Sequence, residues 1–198
     1  FEARRQRQMC IRDRYNRVKL VNKPIGLDIE NHKDKSKKIL FKKSDGLSFV
    51  TKTKNTFDLI LIKQTIHLLK KNQIKKLLII CKSKLTPKGK ILILSLDPKR
   101  NEIPTFDLMN NKLKQSLKRD KKIFDLILEI YPKLKKKYFV FHVKILRINY
   151  LKMIKNRYIS TLLNLSNKQI DSGLIEIKNR YKKKLNFRDR LICLIIDK

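Results

Sequence analysis

Apolar residues are arranged along this chain in two patterns. In one they form short continuous runs, and in the other they recur every three or four positions. Short continuous apolar runs bounded by polar residues predict strands. Such runs lie at residues 23–30, 37–43, 57–62, 91–96, 138–146 and 189–196. The runs at 57–62 and 91–96 show little alternation, which is typical of strands covered on both faces in a parallel sheet.

The second pattern, with apolar residues every three or four positions, predicts amphipathic helices between several of these strands. Ser166 and Gln169 form the pattern of a capping box, so a further helix is expected to begin after Ser166. The periodic segments cover residues 65–84, with an interruption near 70–72, then 107–130 and 149–163.

A turn and a crossover follow from the segment "LTPKGK" at residues 85–90. Pro87 and Gly89 occupy the second and fourth positions of a tight turn, where these residue types are favoured. Strand, helix, turn and strand in this order predict a right-handed βαβ crossover. No internal repeat or low-complexity linker is visible, so the sequence predicts one α/β domain.

The run "FDLILIKQTIHLL" at 57–69 turns abruptly polar at Lys63 and Gln64. In open parallel sheets, the ligand crevice lies beyond the carboxyl ends of the strands. Lys63 and Gln64 are therefore expected at the rim of such a crevice.

Composition limits the class of protein without identifying its partner. A length of 198 residues with 41% hydrophobic content fits one globular domain with a real core. The net charge of +34 suggests attraction to nucleic acid or anionic lipid. The alternative is the composition bias of an AT-rich genome, because the basic residues are spread along the whole chain. No apolar stretch approaches the roughly 20 residues of a membrane span, so we expect a cytoplasmic protein without a membrane partner.

Cysteine and histidine spacing offers no metal site. Cys10, Cys81 and Cys193 are far apart in the sequence and are expected to be ordinary reduced thiols. His32 and His142 carry no functional signal. With no cluster of histidine and cysteine, we predict no bound metal.

The opening segment "RQRQMCIRDR" at residues 5–14 resembles a translated sequencing-adapter sequence. We therefore predict that residues 1–14 are not native and leave them out of the functional argument. Residues 15–198 then form a single domain, expected to be incomplete.

The ordered series "GLDIE", "KKSDG", "FDLILIKQTIHLL" and "LTPKGKILILS" resembles the class I S-adenosylmethionine-dependent methyltransferases over residues 24–97. In the last motif, Lys88 replaces the first glycine of the Pro-Gly-Gly turn that is common in this family. The resemblance implies a Rossmann-like, mostly parallel sheet with helices on both faces and an antiparallel C-terminal strand. It also implies S-adenosylmethionine as the cofactor.

Site residues follow from the same resemblance, position by position. Asp28 would accept hydrogen bonds from both ribose hydroxyls of the cofactor, with Glu30 as the alternative. Asp45 would accept a hydrogen bond from the adenine amino group. The remaining implied cofactor contacts are Ile29, Gly46, Leu47, Lys63 and Gln64. An aspartate at a strand end is also a common turn former or helix cap, so a structural role for both aspartates stays open.

Three further residues are candidates for contact with the methyl acceptor. His67 follows Gln64 closely enough to reach the crevice, although a packing role is an alternative. Arg157 and Tyr158, within "NRYISTLLNLS", resemble an arginine-aromatic segment that faces the active site in a subgroup of small-molecule methyltransferases. Arg157 could then bind an acidic substrate in a bidentate manner, or the guanidinium could point to water.

One departure from the family concerns glycine. The family binds the methionine and ribose with a glycine-rich loop after its first strand, because glycine lets the backbone approach closely. This chain has four glycines, Gly26, Gly46, Gly89 and Gly173, and none lies before the run at 23–30. We therefore expect the first strand and helix of the fold to be missing and this polypeptide to be inactive or poorly folded. The alternative is a degenerate relative that no longer binds the cofactor.

The sequence as a whole predicts a methyltransferase of a small-molecule acceptor, with catalytic residues and oligomeric state undetermined. The alternative is a basic RNA-binding protein or an RNA methyltransferase, although no RNA-binding motif is recognisable. A non-catalytic interaction protein on the same fold is the third possibility.

Overall fold

The computed structural model describes residues 22–29 and 38–198. Glu30, His32, Cys10 and the segment 1–14 lie outside the described residues, so the predictions made for them stay predictions. The described chain forms six strands and five α-helices. In chain order these are β1 (Ile25–Asp28), β2 (Leu40–Lys43), α1 (Gly46–Lys52), β3 (Phe57–Lys63), α2 (Lys71–Ser83), β4 (Leu85–Leu96), α3 (Asp107–Ile130), β5 (Lys135–Leu146), α4 (Arg147–Lys155), α5 (Asn167–Arg180) and β6 (Lys184–Asp197).

The strands form two sheets within the described part of the chain. β1 and β2 pair in parallel, and the other four strands form a mixed sheet in the order β3-β4-β6-β5. β3 and β4 are parallel, while β6 runs antiparallel to both β4 and β5. The predicted α/β class and the antiparallel C-terminal strand are confirmed.

Helices cover different parts of the two faces of the mixed sheet. α2 and the C-terminal half of α3 pack on β4 and β6, where Ile91, Ile93, Ile192 and Leu194 are buried. α4, α5 and the N-terminal half of α3 pack around Leu185 and Phe187, which alternate along β6 with the first set and so point to the opposite face. Further along that second face, Leu94, Leu191 and Cys193 form a small cluster of strand residues.

The prediction that the run at 57–62 is covered on both faces is wrong. Leu59 and Leu61 are 53% and 42% exposed. The reason is position, because β3 lies at the end of the strand order and pairs only with β4 among the described residues.

Several element boundaries differ from the prediction because local turns override the hydrophobic pattern. The helix expected at 65–84 is divided into a 3-10 helix, Ile66–Leu68, and α2. The helix expected at 149–163 ends at Lys155, and a 3-10 helix, Ser160–Leu162, follows. The turn at 85–90 lies within β4 as a shift in pairing register, since Phe57 is opposite Leu85 but Leu59 is opposite Lys90.

Other elements match the sequence closely. α3 covers residues 107–130 as predicted. The capping box of α5 is present, with the Ser166 N–H donating to Gln169 Oε1 at 2.9 Å and the Gln169 N–H donating to Ser166 Oγ at 3.2 Å.

Candidate functional site

Two carboxylates lie at the carboxyl ends of the parallel pair β1 and β2. Asp28 is the last residue of β1, is half-buried and lies opposite Lys43. The Ser44 N–H donates to the Asp28 backbone oxygen at 2.9 Å, and Asp45 is the next residue. The sheet thus holds the segments that carry Asp28 and Asp45 side by side. Ile29 follows β1 directly and is 67% exposed.

Asp45 caps a helix, which is the structural role that the sequence left open as an alternative to cofactor binding. It is the N-cap of α1, accepting hydrogen bonds from the Leu47 N–H at 3.1 Å and the Ser48 N–H at 2.8 Å, one on each carboxylate oxygen. Hydrogen bonds from Ser48, through its side chain and its backbone, lower the pKa of Asp45. Each carboxylate oxygen has a second lone pair, so the cap leaves Asp45 able to accept a further hydrogen bond. Space beside Gly46 is open, because a Cβ there would meet no atom within 4 Å.

A second group of predicted site residues follows the parallel pair β3 and β4. Lys63 ends β3 opposite Leu94, and the Gln64 N–H donates to the Leu94 backbone oxygen at 2.7 Å. Gln64 has a φ of 53°, a left-handed conformation that is uncommon outside glycine. Such backbone strain clusters at functional sites, where the surrounding structure holds it in place.

Asp120 was missed by the sequence analysis. It is a buried carboxylate on α3 with 5% exposure, and α3 contacts the 3-10 helix that carries His67. Burial raises the pKa of Asp120, while the nearby charges of His67 and Arg119 oppose the rise. The sequence signal is its spacing, because Asp120 falls seven positions after Leu113 and four before Phe124 on the apolar stripe of α3.

The third group, Arg157 and Tyr158, lies between α4 and α5. Arg157 has a φ of 52°, and its guanidinium donates to the Leu162 backbone oxygen at 2.7 Å and to Asn167 Oδ1 at 2.9 Å. The Tyr158 hydroxyl lies 2.9 Å from that of Tyr150, which in turn donates to the Pro104 backbone oxygen at 2.5 Å. Burial raises the pKa of Tyr150. These bonds fix the chain between α4 and α5, and they occupy two nitrogens of the guanidinium expected to bind substrate.

The remaining candidate chemistry lies in the core. Cys81 and Cys193 are both buried, and burial raises the pKa of the Cys81 thiol to about 12. A thiol with so high a pKa is protonated at neutral pH and is a poor nucleophile. Within residues 22–29 and 38–198, no group of three or more side chains is arranged to hold a metal ion. None of the helices described is both long and apolar enough to cross a membrane.

Comparison with known proteins gives matches among solved structures only. No family model matches the chain, and no curated protein matches it. A SAM-dependent methyltransferase from Archaeoglobus fulgidus is similar at 18% identity and a TM-score of 0.49, over 88% of this chain and 75% of that one. The plantazolicin methyltransferase BamL, solved with a triazolic desmethylPZN analogue and SAH, is similar at 13% identity and a TM-score of 0.46, over 96% and 73%. A methyltransferase from an antibiotic biosynthesis pathway of Anabaena variabilis is similar at 11% identity and a TM-score of 0.48, over 81% and 74%.

These matches are methyltransferases, the class of protein that the sequence motifs resemble.

Proposed function

We propose that this chain is the greater part of a class I S-adenosylmethionine-dependent methyltransferase domain that acts on a small-molecule acceptor. The observation that carries the proposal is the pair of carboxylates, Asp28 and Asp45, at the adjacent carboxyl ends of parallel strands. Ligands of open α/β sheets bind beyond such strand ends.

The residues present fit the nucleoside part of S-adenosylmethionine. Asp28, half-buried at the end of β1, can accept hydrogen bonds from two vicinal hydroxyls through its two oxygens. Asp45 keeps acceptor capacity beyond its capping bonds, and the open space at Gly46 allows a flat ring system to approach the backbone. Leu47 fits less well as a donor, because its N–H already donates to Asp45.

Fewer residues of this chain are placed to contact the methionine end of the cofactor. Lys63 and Gln64 are proposed to border it, and the strained Gln64 backbone supports a functional constraint there. The chain contains no glycine-rich loop. We therefore propose that this polypeptide binds the cofactor weakly and turns over poorly.

The sheet arrangement supports the proposal that a strand of the complete domain is not among the described residues. β1 pairs only with β2, and β3 pairs only with β4, within residues 22–29 and 38–198. One further strand that paired with both β1 and β3 would join the two sheets into one and bring the two groups of site residues to a common edge.

When bound, S-adenosylmethionine supplies a methyl group on a sulfonium, and the sulfur leaves as a neutral thioether. No residue is needed to protonate that leaving group, so this chain would act by positioning the acceptor and excluding water. A general base is needed only where the acceptor must lose a proton. His67, which follows β3 and interacts electrostatically with Asp120, is the proposed candidate for that role.

Calorimetric titration of the chain with S-adenosylhomocysteine tests the proposal. We expect measurable but weak binding that is reduced at least about tenfold in Asp28→Ala, because hydrogen bonds to a charged group contribute about 1.5–3 kcal/mol. Asp171→Ala is the matched control, since Asp171 is an exposed carboxylate on α5. Its affinity should equal that of the wild type. Absence of binding by the wild type, or equal loss in both variants, would overturn the proposal.

Asp45→Ser separates the two roles of Asp45. Serine is as good an N-cap as aspartate, so α1 should remain folded while the carboxylate is lost. We expect an unchanged melting temperature and weaker binding. An unchanged affinity would limit Asp45 to helix capping.

A further inference from the structure

Strand β5 is a long, exposed sheet edge with an unusual composition. Its 12 residues, "KKKYFVFHVKIL", pair only with β6 among the described residues. Four apolar residues at its centre are exposed by 39% to 57%, namely Tyr138, Phe139, Val140 and Phe141. Proteins usually prevent such edges from pairing with other chains, either by placing charged side chains on the edge strand or by covering the strand with a helix or loop. The lysines of β5 lie towards its two ends, while residues 138–141 at its centre are uncharged and exposed, so this central part of the edge indicates a binding surface.

The aromatic rings point to both faces of the sheet. Side chains alternate along a strand, so Tyr138 lies on the face of Ile192, while Phe139 and Phe141 lie on the opposite face with Leu191. A ligand that follows the strand edge can therefore contact an aromatic ring on either side of it.

Lysines flank these rings and are available for an anion. Lys136 and Lys137 precede Tyr138, Lys144 follows the exposed centre, and none of the three has an ion pair with a described residue. Lys135 differs, because its Nζ lies 3.2 Å from Asp197. The arginines of the neighbouring strand are only partly neutralised, since Arg188 and Arg190 share one carboxylate, Glu102, at 2.9 Å and 3.3 Å.

A cavity of about 200 Å³ opens beside Tyr138, between β5, β6 and α3. Its apolar lining residues include Phe124, Leu128, Ile192 and Leu194. Its charged lining residues are Lys99, Lys121, Lys136, Asp97 and Asp125. One carboxylate is already engaged, because Asp97 Oδ1 accepts a hydrogen bond from the Lys99 N–H at 2.9 Å. Apolar lining residues together with three lysines suit a flat, uncharged ring that is joined to a negatively charged group.

We propose that the exposed edge of β5, together with this cavity, binds single-stranded nucleic acid. Tyr138, Phe139 and Phe141 stack on bases, and Lys136, Lys137 and Lys144 contact the phosphates. Aromatic rings combined with a basic track are the general means by which proteins bind single strands without sequence preference. The net charge of +34 draws the polyanion to the molecule, and the edge strand supplies the stacking.

Chemistry distinguishes this ligand from other partners of a free sheet edge. A polypeptide strand added to β5 would neutralise Lys136, Lys137 and Lys144 only if it were acidic, and its backbone would give the aromatic rings no flat partner for stacking. An anionic lipid surface would satisfy the lysines, but it would leave the aromatic ring beside a narrow cavity without a flat partner. Nucleic acid satisfies both features. The proposal is independent of cofactor binding at β1 and β2, which lie in the other sheet.

Fluorescence provides the test, because the chain contains no tryptophan. Tyr138→Trp places a reporter on the edge, and Ile175→Trp places one at a matched control position on α5, where Ile175 is 59% exposed. On titration with a short oligouridylate in buffer without cofactor, we expect strong quenching of the Tyr138→Trp signal by base stacking. The Ile175→Trp signal should change little.

Charge variants complete the experiment by fluorescence anisotropy with the same labelled oligouridylate. Lys136→Gln/Lys137→Gln should weaken binding by about tenfold and lower the salt slope. Lys168→Gln/Lys182→Gln removes the same charge from exposed positions elsewhere and should have a much smaller effect. Tyr138→Leu, which keeps apolar bulk but not the aromatic face, should also weaken binding by about tenfold.

Several outcomes would overturn the proposal. Equal quenching of both reporters, or equal weakening by both lysine pairs, would mean that attraction is diffuse over the whole molecule. A response of Tyr138→Trp to phosphatidylserine vesicles but not to oligouridylate would identify a lipid surface instead. A concentration-dependent change in Tyr138→Trp emission without any ligand, with a dimer in sedimentation, would identify β5 as a contact between two copies of the chain.

Discussion

Asp120 places a carboxylate on the buried stripe of helix α3, where most other positions are apolar. Burial raises the pKa of Asp120 above its ordinary value of 3.8, and the charges of His67 and Arg119 only partly offset that effect. The ionised form is therefore less stable in the folded protein than in the unfolded chain. A buried charge of this kind is commonly retained for function rather than for stability.

Ionisation of Asp120 should lower the stability of the folded protein as pH rises. A carboxylate with a raised pKa contributes its full stability below pH 3.8, and this contribution is lost as pH rises through the folded pKa. We therefore expect Asp120→Asn to have a higher melting temperature than the wild type at pH 7, with the difference shrinking as pH falls towards 4. Thermal unfolding measured by circular dichroism checks this.

The control for Asp120 is Asp171→Asn, in which an exposed carboxylate on α5 is neutralised. It should change the melting temperature little at any pH. An Asp120→Asn variant that is less stable than the wild type at pH 7 would show that attraction to His67 and Arg119 outweighs the cost of burial.

At the scale of secondary-structure elements, Gly173 lies at the contact between two helices. It lies in the middle of α5, and a Cβ at this position would come within 2.6 Å of the ring of Phe106. Phe106 is 1% exposed and immediately precedes α3. The absence of a side chain at Gly173 therefore sets how closely α5 packs on the start of α3.

Gly173→Ala should destabilise the protein despite the better helix propensity of alanine. The propensity gain is about 1 kcal/mol, while forcing an extra carbon into a packed core costs typically about 1–3 kcal/mol. Because the clash is with a buried ring, we expect a net loss of about 1 kcal/mol or more in the free energy of unfolding by urea.

Gly46→Ala is the matched control, since a Cβ there would meet no atom within 4 Å and Gly46 is the first residue of α1. Its stability should be unchanged or slightly higher. An increase in stability for Gly173→Ala would mean that Phe106 moves aside without cost.

The elements that the sequence predicted well are those defined by local patterns. α3 has a long apolar period, and the capping box of α5 needs only Ser166 and Gln169. α1 was missed because its seven residues are too few for a periodic signal, although its N-cap Asp45 is a recognisable start. The exposure of Leu59 could not be predicted, because a strand's neighbours in the sheet depend on contacts distant in sequence.

The candidate site was predictable to a similar degree. The family resemblance identified Asp28 and Asp45, and the structure puts their strands side by side. Asp120 was not identified, because its burial and its proximity to His67 arise only when α3 packs against the segment after β3. The engagement of the Arg157 guanidinium with Leu162 and Asn167 likewise depends on how the chain folds between α4 and α5.

At the scale of the whole molecule, two surfaces with different chemistry lie on different sheets. The strand ends of β1 and β2 present the carboxylates Asp28 and Asp45, and the edge of β5 presents aromatic rings and lysines. A methyltransferase that also held single-stranded nucleic acid would use both surfaces. The nucleoside site at β1 and β2 is the more important of the two surfaces, since the proposed activity needs it.

Hydrogen–deuterium exchange with and without S-adenosylhomocysteine tests that site most directly, because it reports where the ligand binds as well as whether it binds. At a ligand concentration that saturates the calorimetric signal, we predict slower amide exchange at residues 26–29 and 44–47, with residues 138–141 of β5 unaffected. Unchanged exchange at both strand ends, or protection confined to other parts of the chain, would contradict the proposal that Asp28 and Asp45 bind the cofactor.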